Sequence, residues 1–276
     1  MPKSEAAVTT RSAAVPHGLR AIDLPVVIMI GAALNGLVVT VMQTVSAGGG
    51  LSLTLGLSPF QIIAILVAAR LMLGMGEPDA AGPWWLDLTV AALILVPSSA
   101  VSWAALAIYS GYHAVETRAE RRTGALLFLA IAVASLWSSV ILKWFALPVT
   151  TGEAFVLGQI MHLIRPDIIQ VANVIGNPDT HSLILMTRCT TADALPHAAI
   201  GVAAVAYLLG DVRPERLRQA LVMLAVIYVA ANLVRLGGLA WSAESYALVH
   251  GPIGANAFDL FQAGLVLTLG NWAGSS

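Results

Sequence analysis

The sequence predicts an all-α polytopic membrane protein. It reads as a bundle of seven or eight transmembrane helices, with a small extracytoplasmic hairpin and short helix inserted before Cys189. Three observations carry this. Of 276 residues, 58% are hydrophobic and 11% charged, whereas soluble domains run at about 25% charged. The mean hydropathy is +0.83. The apolar residues fall in long continuous runs, several of about twenty residues, the length that crosses a bilayer, and not in the short alternating segments of a barrel. A water-soluble fold could not hide that much apolar surface. Net charge is -1 with no long basic block, so nucleic acid finds no electrostatic footprint.

Residues 1 to 20 are polar and small, with Lys3, Arg11 and Arg20, and read as a disordered cytoplasmic tail. Residues 21–276 read as one transmembrane domain. The run Leu24 to Ala47 is too long for a signal-peptide core and ends at Gly48-Gly49-Gly50. A second run starts after Ser58-Pro59 and ends near Gly76. It carries Arg70 close enough to its end to snorkel, and Glu77-Pro78-Asp79 closes it. Trp84 to His113 is interrupted by Pro97-Ser98-Ser99. It fits one long tilted helix or two short helices in a hairpin. The loop Glu116 to Arg122 is basic and therefore cytoplasmic. With the tail also inside, the crossings before it must be even in number, which favours the hairpin.

Gly124 to Leu147 then crosses outward, with Trp137 and Trp144 in its outer half. Residues 149–190 form the extracytoplasmic segment. Within it, Gly152 to Ile164 suits a short helix lying on the membrane, apolar at Phe155, Ile160, Leu163 and Ile164. Ile168 to Ile175 and Ser182 to Met186 are strand-like and joined by the turn signal Gly176-Asn177-Pro178-Asp179. The resulting hairpin leads into Cys189. Ala192 to Leu209 returns inward to a loop bearing Arg213, Arg216 and Arg218. Leu217 to Trp241 crosses out, Trp241 to His250 is a short outer loop, and Gly251 to Leu269 crosses in.

Three groups fall at successive outer helix ends. Cys189 is the only cysteine, so it forms no intramolecular disulfide. A lone cysteine is most often a small buried hydrophobe, so its company decides its reading. A helix starting near Thr191 would offer a thiolate its dipole and free N–H groups. Arg235 lies inside the apolar run Leu221 to Leu239, where an arginine costs about 2.5 kcal/mol or more at mid-membrane, which marks a site. Snorkelling, or a pair with Glu244, is the structural alternative. Asn232 lies three residues earlier on the same face. His250, in His250-Gly251-Pro252-Ile253-Gly254, stands at the start of the last helix, where the dipole disfavours a cation and leaves an imidazole able to accept a proton. Its plain alternative is an interfacial histidine bonded to water. Together the three supply a nucleophile, a proton shuttle and an oxyanion donor. Arginine does not give up a proton, so its part is electrostatic.

Other groupings are weaker. Cys189, Asp193 and His197 are spaced by four, but His197 would lie more than a turn below the thiol. His181, Cys189 and His197 lack compact ligand spacing. His162, Arg165 and Asp167 read as a solvated outer face. No metal and no cofactor is expected.

The order Cys189, then Asn232-Leu233-Val234-Arg235, then His250 with Gly254 resembles the exosortase/archaeosortase family of polytopic membrane cysteine transpeptidases. The lead-in is similar: Trp144 and Pro148 after a helix, then a polar segment with Gly176-Asn177. The resemblance covers roughly residues 125–270. It implies a nucleophile at Cys189, a general base and acid at His250, and an oxyanion or substrate-orienting group at Arg235. Asn232, Arg188 and Thr190 are expected to bind substrate. The resemblance further implies a bacterial cytoplasmic (inner) membrane, with the site facing outward. Its substrates would be exported proteins bearing a C-terminal sorting signal (motif, transmembrane helix, basic end), and exopolysaccharide production is linked to the family. Many bacterial members have Ser-Gly after the cysteine, and this chain has Thr190-Thr191. A non-enzymatic membrane transporter or envelope polysaccharide assembly factor is the alternative function. A transporter would pair intramembrane charges or break helices near the midplane, and Arg70, Arg235 and Pro97 supply only a faint version of that.

Overall fold

Segments that are apolar all round become helices because lipid offers their backbone groups no other partner. The computed structural model describes residues 23–46, 59–73, 82–117, 119–210 and 212–275. The tail 1–20, Gly48-Gly49-Gly50 and Glu77-Pro78-Asp79 lie outside the described residues. The first half consists of α1 (Leu24–Ser46), α2 (Pro59–Met72), α3 (Trp84–Ile94), α4 (Ser99–Glu116) and α5 (Ala119–Leu136). A π-helical stretch, Trp137–Ile141, and the short α6 (Leu142–Trp144) carry α5 into α7 (Ala146–Ile164). A three-stranded antiparallel sheet follows, β1 (Ile169–Val171), β2 (Val174–Asn177) and β3 (His181–Ile184), in that order. A 3-10 turn, Thr187–Cys189, leads into α8 (Thr191–Leu209), α9 (Pro214–Trp241), α10 (Ala243–His250) and α11 (Pro252–Gly274).

Among the described residues, five helical segments are long and apolar enough to cross a membrane: Leu24–Gln43, Arg121–Trp144, Thr191–Leu209, Pro214–Trp241 and Pro252–Gly274. Pro59–Met72 and Trp84–Ile94 are apolar but shorter. Large apolar side chains such as Leu66, Val226 and Leu260 point outward from these helices, a surface suited to lipid and costly in water.

Three apolar cores hold the chain together. The first packs α1 to α5 around Met29, Met72, Trp103, Tyr109 and Phe128. The second packs α8, α9 and α11 through Val202, Val205, Leu224, Val266 and Leu269. The third lies under the sheet, joining Leu157 and Met161 of α7 to Ile175, Leu183 and Leu185 and to Leu236 and Leu239 of α9. Helix α2 joins the two halves. Its Gln61 donates to Ser135 Oγ at 2.8 Å, and Phe60 presses against Gly201 of α8.

A second seam joins α5 to α8. Pro196 sits inside α8 without an N–H, which frees the Ala192 carbonyl that residue 196 would otherwise use. Trp137 Nε1 donates to that carbonyl at 2.8 Å. The π-helical stretch begins at Trp137, and such stretches re-aim side chains locally. The end of α5 therefore meets the start of α8, near the sheet. At the other end of the bundle, Arg121 pairs with Asp23 at 2.6 Å, and Arg216 donates to the Ser275 carbonyl.

Several expectations are corrected. Gly152 to Ile164 is not a separate short helix; it continues α7, which starts at Ala146 because Pro148 falls in the first turn, where a missing N–H costs nothing. The expected two-stranded hairpin has a third strand. The run Ile168 to Ile175 turns back at Ala172 (φ 52), so that Val171 pairs with Val174. Gly176 and Asn177 belong to β2, and the turn comes just after them. Gly176 has φ 145, and a Cβ there would lie 2.3 Å from the His181 carbonyl oxygen, so the strand requires glycine. The outer loop Trp241 to His250 is helical over α10, capped by Ser242 Oγ accepting the Ser245 N–H at 3.1 Å. The stretch Trp84 to His113, by contrast, folds as two helices, as the favoured reading expects, with Pro97 in the break between α3 and α4.

Candidate functional site

The sheet hands the chain to Cys189 along a fixed path. The Leu185 N–H donates to the Asn173 carbonyl at 2.8 Å, and Asn173 Nδ2 returns to the Leu185 carbonyl at 3.0 Å. The Cys189 N–H then donates to the Met186 carbonyl at 2.9 Å, and Thr190 Oγ1 to the Thr187 carbonyl at 2.6 Å. Cys189 is partly buried and, like Leu233, Tyr246 and Val249, packs against the core under the sheet.

The start of α8 has orphan N–H donors, as every helix does. The sequence suggests this end for the thiol; a carboxylate occupies it. The Thr191 N–H donates to both Glu153 carboxylate oxygens at 3.1 Å, and Thr191 Oγ1 donates to Oε1 at 2.7 Å. Asn232 Nδ2 lies 3.0 Å from the same oxygen, 3.0 Å from the Cys189 carbonyl oxygen and 3.2 Å from Thr191 Oγ1. Asn232 is 2% exposed. Helices α7, α8 and α9 thus meet on one carboxylate directly behind the cysteine.

In front of the cysteine lies a cavity of about 220 Å³. The 3-10 turn contributes Arg188, Cys189 and Thr190 to its wall. Helix α9 contributes Tyr228, Asn232 and Arg235, spaced four and three apart on one face. Helix α11 contributes Ala255, Phe258, Asp259 and Gln262 with the same helical spacing. Gln262 Nε2 donates to the Tyr228 hydroxyl at 2.6 Å and ties the two walls at depth. The Arg235 guanidinium sits 4.6 Å from the centre of the Phe258 ring, a cation–π contact, and its Nε is buried without a hydrogen-bond partner. The cavity therefore brings a thiol, a guanidinium and a carboxylate (Asp259) onto one polar surface. Arg188 is exposed at its mouth.

His250 is placed differently. It is the last residue of α10, at the carbonyl end of that helix, so the argument from a helix N-terminus does not apply to it. Its side chain is exposed, its ring lies 5.0 Å from that of Tyr246, and it is not among the residues lining the cavity. The His181 ring also lies near Tyr246, at 5.6 Å, and contacts the Leu239 carbonyl at 2.9 Å. His197 contacts Ser138 Oγ at 3.2 Å and is not in the cavity lining. His181, Cys189 and His197 do not converge.

The outer face around Arg165 is an ordered cluster. Arg165 pairs with Asp167 at 2.5 Å, donates to the Trp241 carbonyl at 2.8 Å and lies over the Trp241 ring. The Arg165 guanidinium, and after it the Asn177 amide, hold the Asp167 carboxyl down to about 2.

Two residues with strong contacts or a place in the cavity wall, Glu153 and Asp259, were not singled out from sequence. Both are acids within apolar runs, and the rule that marked Arg235 marks them equally. Comparison with known proteins finds no matching family model, no matching curated protein and no matching solved structure.

Proposed function

We propose that this chain is a membrane-embedded cysteine protease or transpeptidase of the exosortase type. In this reading it cleaves C-terminal sorting signals of exported proteins and passes the product to an envelope acceptor. The observation that carries the reading is the shared cavity of Cys189 and Arg235, built by residues distant in sequence at one end of the bundle. The Cys189 thiolate attacks the scissile carbonyl, and the leaving amine departs with a proton to give a thioester. An acceptor nucleophile, or water, then resolves the thioester and restores the thiol. Arg235 stabilises the oxyanion, which its buried, unpartnered Nε suits. His250 carries the proton by resemblance; the cavity itself offers Asp259 as its carboxylate.

The orientation follows from charge. Arg121 and Arg122 lie at the start of α5, and Arg213, Arg216 and Arg218 at the start of α9, both at the end of the bundle away from Cys189. Basic ends stay in the cytoplasm, so Cys189 faces outward from the cytoplasmic membrane. The α3–α4 hairpin and the shorter α2 bring the count to seven or eight membrane helices.

The test is Cys189→Ala and Cys189→Ser in the native host, with mass analysis of the C-termini of exported membrane-anchored proteins. Both variants should accumulate unprocessed precursors. Processing at the wild-type level in both would remove the nucleophile and leave a non-enzymatic transporter or assembly factor.

A further inference from the structure

We infer that Glu153 is the positioning residue for Cys189, fixing its backbone through α8 and Asn232. The inference rests on the reading of Cys189 as the reacting group. Cys189 ends a three-residue 3-10 turn, a weak element that does not hold its own geometry. What holds it lies behind. Asn232 Nδ2 contacts the Cys189 carbonyl oxygen at 3.0 Å, and the next residue but one, Thr191, is held at both its N–H and its hydroxyl by Glu153. Glu153 also orients Asn232, at 3.0 Å. One carboxylate oxygen therefore receives three donors, two from α8 and one from α9.

These contacts are sheltered. Thr190 is 2% exposed, Thr191 9% and Asn232 2%. An acceptor lost there leaves donors without water to replace it, so removal is felt in full. Glu153 does not line the cavity. It acts through Thr191 and Asn232 on the backbone that carries the thiol.

The role is one of reach, so two variants separate it from charge. Glu153→Gln keeps the length of the side chain and one carbonyl oxygen, which can accept from Thr191 and Asn232 as Oε1 does. Glu153→Asp keeps the charge and retracts it by one methylene. Cys189 is the only thiol, so its alkylation by iodoacetamide in the purified, membrane-reconstituted full chain reads as a single mass adduct. The Glu153→Asp and Glu153→Ala variants should alkylate about tenfold faster than wild type, the scale of one or two lost hydrogen bonds. Glu153→Gln should stay within about twofold. Thermal unfolding of each variant is followed alongside, and Thr191→Val supplies a milder version should Glu153→Ala not fold. Its alkylation should rise about threefold, as for one lost hydroxyl donor. Equal rates in all variants would overturn the inference. So would a rate that follows charge, with Glu153→Asp like wild type and Glu153→Gln like Glu153→Ala. Alkylation needs no turnover, so this outcome is separate from that of the Cys189→Ala processing test.

Discussion

Replacing Gly254 by alanine tests how tightly the turn between α10 and α11 sets the cavity wall. A Cβ at Gly254 would lie 2.4 Å from the Val249 carbonyl oxygen, 2.5 Å from that of Leu248 and 2.6 Å from Val249 Cα. All three are backbone atoms of α10, so no side chain can swing aside. Relief to ordinary contact means opening the turn by about 1 Å, and such overpacking costs about 3 kcal/mol. Helix α11, which carries Gly254, supplies its own control. Gly264 has nothing within 4 Å of its Cβ position, so Gly264→Ala should stabilise by about 0.5–1 kcal/mol through the glycine's lost backbone freedom. Tryptophan fluorescence of thermal unfolding in nanodiscs reads both variants. The midpoint should fall by roughly 5–10 °C in Gly254→Ala and rise slightly in Gly264→Ala. Because Ala255, Phe258 and Asp259 follow the turn directly, Gly254→Ala should also slow any processing that depends on Cys189. A Gly254→Ala protein that unfolds with wild type, or two variants shifting together, would refute the contact as described.

Two further outcomes are expected. Arg235→Lys replaces a planar fork over Phe258 by a point charge, and precursor processing measured by mass spectrometry should fall about 100-fold or more, as when an oxyanion donor is removed; wild-type processing would reduce Arg235 to a snorkelling residue. Asp167 is held down to about 2 by Arg165 and Asn177, so the stability it adds is present above the ordinary carboxylate range and is lost as pH falls through about 2. The unfolding midpoints of wild type and Asp167→Asn should therefore differ most near neutrality and converge towards pH 2, and a gap that persists there would break the link.

Long apolar helices were the most legible part of the sequence, because lipid leaves a long apolar run a single backbone solution. The basic residues at the starts of α5 and α9 marked one end of the bundle by charge alone. Residues that join separate helices were harder to see. Glu153 binds Thr191 and Asn232 across 38 and 79 positions of sequence, and no local pattern announces such a contact. The local signals that did exist were short. Ser242, three residues before Ser245, is an N-cap, yet the eight-residue α10 it opens reads as loop when only long runs are counted. The missed third strand turned on Ala172, a residue that seldom adopts a positive φ. For the site, Cys189, Arg235 and Asn232 line one cavity, whereas His250 ends α10, a helix where the sequence reads as loop, and is not in the cavity lining.

The break at Pro97 has a consequence for the surrounding bilayer. It leaves α3 with 11 residues, about 16 Å of helix, against a hydrocarbon thickness of about 30 Å. On the other half of the molecule the apolar run Leu221 to Leu239 of α9 measures about 28 Å, close to that thickness. The two flanks therefore ask for membranes of different depth. On the proposed count of seven or eight spans, lipid next to α3, where Trp84, Trp85 and Leu88 face outward, must thin, while lipid next to α9 keeps its ordinary depth. On that count the protein acts on its membrane as a wedge. Where two copies turn their thin flanks together, one dimple replaces two, an attraction that acts through the lipid and needs no contact between them.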